Sequence, residues 1–237
     1  MSLEYFFTPP HLIGHNELTI EGDEFAHLTH VMRRKPGDAI RVVNGAGTAL
    51  DVVIIETSRH TARCEITATH SRLHEPDADV TMGVGVLKNS SRFDFLVEKA
   101  TELGVNTIVP LSTERTIPHH ARTDRWQKLA LAAMKQSCRC TLPAIKDLTP
   151  LATFLRSASQ PGCCFIPHEA TDTPRLRDVP YPPPLSRVLL AIGPEGGFTD
   201  AEIAEASEAG FTPISLGQRR LRAETAAIIA AGHFLSL

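Results

Sequence analysis

The chain has 237 residues, 42% of them hydrophobic and 22% charged, with a mean hydropathy of −0.07 and a formal net charge of −3. That length suits one large domain or two unequal ones, and the charge excludes a uniformly basic nucleic-acid binder, so any RNA surface is a patch. Five cysteines without a C-x-x-C pair, no apolar run of eighteen and no cationic-then-apolar leader point to a soluble, cytoplasmic protein without disulfides, metal or a membrane span.

Residues 1–72 hold short alternating segments separated by turns. Residues 38–43, 50–55 and 62–67 each read as a strand, and Asn44-Gly45-Ala46-Gly47 as the turn after the first. One short helix is expected over about 21–31, where Phe25, Leu28 and Val31 share a face. The set reads as a small β-barrel. Its one dense cationic cluster, Arg33-Arg34-Lys35, falls at the helix-to-strand turn. Exposed there, it can contact phosphates without reading sequence. His27 and His30 read as packed or capping residues, not ligands.

A linker is expected over 70–79, and beyond it the period changes. Residues 80–87 are strand-like, Ser90 or Ser91 can cap a helix with the apolar face Phe93, Leu96, Val97, Ala100 and Leu103, and Gly104 ends it. A strand over 105–111 completes one βαβ unit, expected to be parallel and right-handed. A helix begins at Asp124 and carries Trp126, Leu129, Ala133 and Met134. Pro161-Gly162 precedes a strand over 163–166, and the proline-rich stretch 171–184 reads as a stiff surface connection. Strands follow near 188–192 and 212–216. Thr199-Asp200-Ala201-Glu202 is a capping box for a helix that Gly210 closes, and an alanine-rich helix runs from about 224 to 235. This alternation makes residues 73–237 an α/β domain with a parallel sheet.

Two stretches in that domain carry the chemistry. Ile192-Gly193-Pro194-Glu195-Gly196-Gly197-Phe198 follows the apolar run 188–191, and Leu216-Gly217-Gln218-Arg219-Arg220-Leu221-Arg222-Ala223-Glu224-Thr225-Ala226 follows Ile214-Ser215. Each reads as strand, tight loop, helix, and in open α/β sheets such loops at the carboxyl ends of strands bind ligands. Neither has the Lys-Ser/Thr of a phosphate-binding P-loop or the spacing of a dinucleotide fingerprint. A nucleotide-like ligand without a polyphosphate fits better.

These stretches resemble the ribosomal RNA small subunit methyltransferase E family. So do His27-Leu28 through Arg33, Lys88 through Val105, and Gln136-Ser137 with Arg139. The resemblance spans nearly the whole chain, and Arg220 stands where the family more often has an apolar residue. It implies a knotted (SPOUT) methyltransferase domain over 73–237, preceded by a PUA-like β-barrel RNA-binding domain over 1–72. It further implies S-adenosylmethionine as methyl donor, N3 of one uridine in 16S rRNA of the small ribosomal subunit as acceptor, and a homodimer with the site near its interface.

Methyl transfer from a sulfonium is a displacement, so donor methyl and acceptor nitrogen must be held in line. Uridine N3 carries a weakly acidic proton, which calls for a base or for a site that favours the anionic ring. Charge on O2 and O4 calls for fixed donors, and arginine suits that. Arg222 is therefore expected to orient the base and stabilise its charge. Glu224 is expected to act as base or to position the arginine, with a plain helix cap as the alternative. The cofactor pocket is expected from three loops, 165–169, 192–197 and 216–221, with Phe165, Ile166, Pro167 and Glu169; Ile192, Gly193, Pro194, Glu195, Gly196 and Gly197; and Leu216, Gly217, Arg219 and Leu221 singled out, joined by Thr225. Glu195 is expected to accept from backbone amides of its own turn. Lys88 and Arg92, with Arg33, Arg34 and Lys35, are the RNA-backbone candidates. The competing readings are a knotted ribose 2′-O methyltransferase and a non-catalytic RNA-binding or assembly factor.

Overall fold

The computed structural model describes residues 4–158, 163–168, 173–180 and 187–235. It divides into two compact units, Met1–Glu75 with Met134–Leu142, and Pro76–Ala133 with Pro143–Leu237.

In the first unit, β1 (Tyr5–Phe7), β2 (Glu17–Glu21), β3 (Ala39–Val43), β4 (Thr48–Thr57) and β5 (Thr61–Ser71) form one sheet in the order β1-β3-β4-β5-β2. Only the β1–β3 pairing is parallel. The three strands expected from alternation are all present. Their inward residues Ile40, Val42, Leu50, Val52, Ile54 and Cys64 share a core with Phe6, Leu18, Ile20 and Leu28. Register shifts at Asp51/Val52 and Ile54/Glu56 bend the long β4. Between β2 and β3 the expected helix appears as α1 (Gly22–Ala26), running on into a π-helical turn, His27–Val31. His27 packs its ring 5.6 Å from that of Phe6. The Asn44 side chain accepts the amides of Ala46 and Thr48 and so closes the turn before β4.

Residues 134–142 belong to this unit although they come from far along the chain, and a buried ion pair accounts for their hold. The Glu75 side chain, 1% exposed, accepts from the Arg139 guanidinium at 2.8 Å and from the amides of Cys140 and Thr141 at 2.8 Å each; that of Arg139 is 2% exposed. Truncating one partner of such a pair strands a buried charge, which typically costs 3–5 kcal/mol. Glu75→Ala should therefore lower stability by about that amount in denaturant melts. An unshifted midpoint would show that the segment is held by other means.

The second unit is a parallel sheet flanked by helices. Its elements are β6 (Asp79–Gly85), α2 (Ser90–Leu103), β7 (Thr107–Ser112), α3 (Thr123–Gln136, of which 134–136 fall in the first unit), β8 (Ala144–Ile145), β9 (Thr149–Pro150), α4 (Leu151–Leu155), β10 (Cys164–Pro167), β11 (Arg187–Ile192), α5 (Asp200–Glu208), β12 (Thr212–Ile214) and α6 (Ala223–Phe234). Strand order is β12-β10-β11-β6-β7-β8, with β9 also on β7. Every pairing is parallel. The central strands β6 and β11 are buried along nearly their whole length, hence their unbroken apolar runs.

Helix α2 buries Phe93, Leu96, Val97 and Ala100 and stops at Gly104, whose φ of 110° is the left-handed cap that glycine permits. Its N-terminus corrects the sequence expectation: Asn89, not either serine, supplies the cap, accepting from the Ser91 amide at 3.0 Å. Trp126 of α3 stacks on Phe93 at 4.2 Å. In α6 the small buried residues Ala227, Ala230 and Ala231 let the helix lie close against β6, β11 and α2. The capping box of α5 is present as expected. Pro161-Gly162, and residues 171–172 and 181–184 of the proline-rich connection, lie outside the described residues; 173–180 include a 3-10 turn at Leu176–Asp178. Among the described residues no helix is long and apolar enough to cross a membrane.

Candidate active site

The carboxyl ends of β10, β11 and β12 meet the start of α2 around a cavity of about 580 Å³. Each wall follows from the local sequence. After β11 the chain turns sharply through residues 193–198 before the capped start of α5. Gly197, at φ 68°, closes this turn by donating its amide to the Pro194 carbonyl at 2.9 Å. The turn rests directly on the end of β6: a Cβ on Gly85 would lie 2.6 Å from the Pro194 backbone nitrogen. Only glycine fits there.

Glu195 departs from expectation. Because Gly197 already satisfies the turn internally, the Glu195 carboxylate reaches out of it and accepts from the Lys88 amide at 3.1 and 3.3 Å. It also accepts from Arg92 Nη1 at 3.1 Å. Arg92, in the first turn of α2, then spends its other edge on Glu224: Nε donates to Oε1 at 2.9 Å and Nη2 to Oε2 at 2.5 Å. One guanidinium thus ties together the starts of α2 and α6 and the turn after β11. The Lys88 side chain is exposed and off the cavity wall.

Glu224 is therefore partnered by Arg92, not by Arg222. Its side chain is 8% exposed. Burial alone would push its carboxyl up, yet the hydrogen bonds from Arg92 and from its own backbone N–H, with the charges of Arg92 and Arg222, carry it below the usual value. The same bond raises the Arg92 guanidinium above its usual value. A carboxylate so held is a weak proton acceptor and a firm anchor. Glu224 lies in the first turn of α6, where the helix dipole favours a carboxylate. Arg222 occupies the N-cap position without a side-chain cap bond, is exposed, and lines the cavity with Arg219 and Arg220.

Most other expected cofactor residues also lie on the wall: Pro167, Ile192, Gly193, Pro194, Gly196, Gly197, Leu216, Gly217 and Leu221. Three do not. Phe165 stacks on Phe234 at 4.7 Å, Ile166 is buried in the core beside Leu189 and Ala191, and half-buried Thr225 sits on α6 away from the wall. Phe165 and Ile166 are adjacent on β10 and so bury into opposite faces of the sheet, short of the strand's carboxyl end. Glu169 lies outside the described residues. His168, inside the expected loop 165–169, lines the cavity as well. The sequence reading missed Arg115 and Asp200, which also line it: Asp200 opens α5, and Arg115 comes from the loop after β7. The RNA candidates Arg33 and Lys35 are exposed, and Arg34 faces Glu4 at 3.5 Å.

Residues 74–235 match the sequence model of an RNA methyltransferase domain, and residues 20–67 that of an RNA methyltransferase PUA domain. The ribosomal RNA small subunit methyltransferase E of Synechocystis sp. is 31% identical over 235 residues, covering 96% of this chain and 76% of its own length. The protein of the same name from Bacillus subtilis is 26% identical over 223 residues, covering 90% and 87%. Among solved structures, the Neisseria gonorrhoeae ribosomal RNA small subunit methyltransferase E bound to S-adenosyl methionine matches with a TM-score of 0.85. The identity is 30%, over 97% of this chain and 95% of that one.

Proposed function

Since this chain belongs to the ribosomal RNA small subunit methyltransferase E family, we propose that it methylates N3 of one uridine in 16S rRNA with S-adenosylmethionine as donor. The observation that carries this reading is the cavity itself, where three strand-end loops converge and arginines dominate the charge. Arg92, Arg115, Arg219, Arg220 and Arg222 line it, against the carboxylates of Glu195 and Asp200. Its volume of about 580 Å³ suits a nucleoside-sized ligand. Turns built on glycine admit a ligand against backbone, and Ile192, Leu216, Leu221 and Ala226 offer apolar surface for an adenine. The residues fit the donor, and a relative of this fold binds it.

The bound donor supplies a methyl group on a sulfonium sulfur. The protein then has to present N3 in line with that methyl and favour the ring that has lost its N3 proton. Arg222, exposed on the cavity rim at the start of α6, stabilises the negative charge shared over O2 and O4. Glu224 acts through Arg92, holding that guanidinium on the wall and, through Glu195, fixing the turn after β11. The arginine-rich surroundings lower the cost of the anionic ring, and its proton passes to solvent.

The barrel over 1–72 is the RNA-holding module and 73–237 the catalytic one. The working form is a cytoplasmic homodimer acting on the small ribosomal subunit. Phe95 on α2 and Ile229 on α6 are 46% and 44% exposed on two helices that pack together, which supports a partner there. Neutralising Arg33, Arg34 and Lys35 together should weaken RNA binding about evenly across sequences and lower the salt slope by up to ~0.7 per lost phosphate contact on single strands. A wild-type slope would make the cluster a solvated turn. The function is tested by titrating S-adenosylmethionine calorimetrically and then following labelled methyl onto small subunits that lack the modification. Binding with transfer is expected; binding without transfer would favour an assembly factor.

A further inference from the structure

Arg115 is the one cavity-lining residue contributed by the loop after β7. That loop is tightly tied. Thr113 and Thr116 close a turn, with the Thr116 amide on the Thr113 carbonyl at 3.2 Å and the Thr113 amide on Thr116 Oγ1 at 3.1 Å. The Glu114 amide donates to Glu202 Oε1 at 2.8 Å, while Glu202 Oε2 accepts the Thr199 amide at 2.8 Å. The capping box of α5 therefore anchors this loop as well as its own helix.

From that anchored turn Arg115 Nη1 donates to the Gly196 carbonyl at 2.7 Å and to the Phe198 carbonyl at 3.2 Å. Its stem lies over Gly196, where a Cβ would come within 3.2 Å of Arg115 Cβ and Cδ. A peptide unit is planar, so pinning the two carbonyls sets the planes of the 196–197 and 198–199 units. Glu195 holds the same turn from its other side through Lys88 and Arg92.

We infer that Arg115 is a positioning residue: it holds the 193–198 turn in the shape that receives the cofactor, and does not itself bind the cofactor's amino-acid end. This rests on the reading that the cavity takes S-adenosylmethionine. A clamp of this kind moves the cost of ordering the turn from binding to folding. Its loss weakens any ligand that needs the ordered turn, whichever part of that ligand lies nearest Arg115. A direct bond to the methionine carboxylate would instead be felt only by ligands that carry one.

The test is calorimetry of S-adenosylmethionine, S-adenosylhomocysteine and 5′-methylthioadenosine, the last lacking the amino-acid end, against wild type, Arg115→Ala and Arg115→Lys. Two bonds from a charged donor are lost in the alanine variant. Affinity for all three ligands should fall together by roughly ten- to a hundredfold. The lysine variant, able to reach one carbonyl, should fall between and keeps the test open if the alanine variant folds poorly. Losses confined to the two ligands with a carboxylate would overturn the clamp, as would unchanged affinities beside a wild type that binds all three. A wild type that binds none of them would overturn the cofactor reading itself, and the clamp with it.

Discussion

Glu224→Gln should lose methyl transfer by about 10²-fold, the scale of a ~1 Å misplacement, and alkaline pH should not narrow the gap to wild type. Both halves of that expectation follow from the Arg92 pairing. Glutamine keeps the shape but presents an amide N–H₂ to one edge of a guanidinium that now meets two carboxylate oxygens. Arg92 then loosens, and so does its hold on Glu195. If Glu224 were the base, solvent would take over its task as pH rises and the variant would recover. The wild-type carboxyl lies below the usual value, so its ionised form is present throughout the neutral range. A depressed carboxyl adds stability that is fully present above the unfolded value of about 4.3 and is lost as pH falls through the folded one. Glu224 should therefore add no limb to the pH–rate profile between about pH 5 and 8.

The same pair predicts an order of stabilities. Arg92→Ala leaves a carboxylate that is 8% exposed without its guanidinium partner, a cost of about 1–3 kcal/mol. Arg92→Ala/Glu224→Gln removes the stranded charge and should melt above Arg92→Ala alone. In turnover the double variant should lose little more than either single one, because groups acting as a unit are not additive. Additive losses would assign the two residues separate tasks.

Arg222→Ala should cost turnover 10²–10³-fold, as the loss of a donor aimed at developing charge typically does, with cofactor affinity within a few-fold. Its side chain makes no cap bond to α6 and lies exposed on the cavity rim, so the fold should not register its loss. The melting temperature is the internal control. Arg222→Lys should recover part of the rate, since a point charge replaces the fork but not its geometry. Full activity in Arg222→Ala would pass the charge-stabilising role to Arg219 or Arg220.

The parts of this structure legible in the sequence are those written in short-range pattern. The apolar runs of β6 and β11, the left-handed stop at Gly104 and the capping box from Thr199 to Glu202 each depend on residues within a few positions. The two glycine-bearing turns were legible because strand, turn and helix follow without a break. Two-residue strands such as β8 and β9 carry no period, and the end of α2 that Asn89 caps had three adjacent candidates of similar chemistry. Illegible too was whatever the tertiary fold alone brings together. Arg92 and Glu224 lie 132 positions apart, Arg115 and Gly196 lie 81 apart, and Glu75 and Arg139 lie 64 apart. Each was visible as a charge, and none announced its partner. Nearness in sequence pairs Glu224 with Arg222, and the fold pairs it with Arg92.

The identity of the methylated atom is decided by treating small subunits that lack the modification with enzyme and S-adenosylmethionine, digesting the RNA to nucleosides, and locating the new methyl by mass spectrometry. One N3-methyluridine is expected, in 16S rRNA, formed at least about 10²-fold more slowly with Arg222→Ala under the same conditions. A methyl on a ribose 2′-oxygen, or on another base, would contradict it.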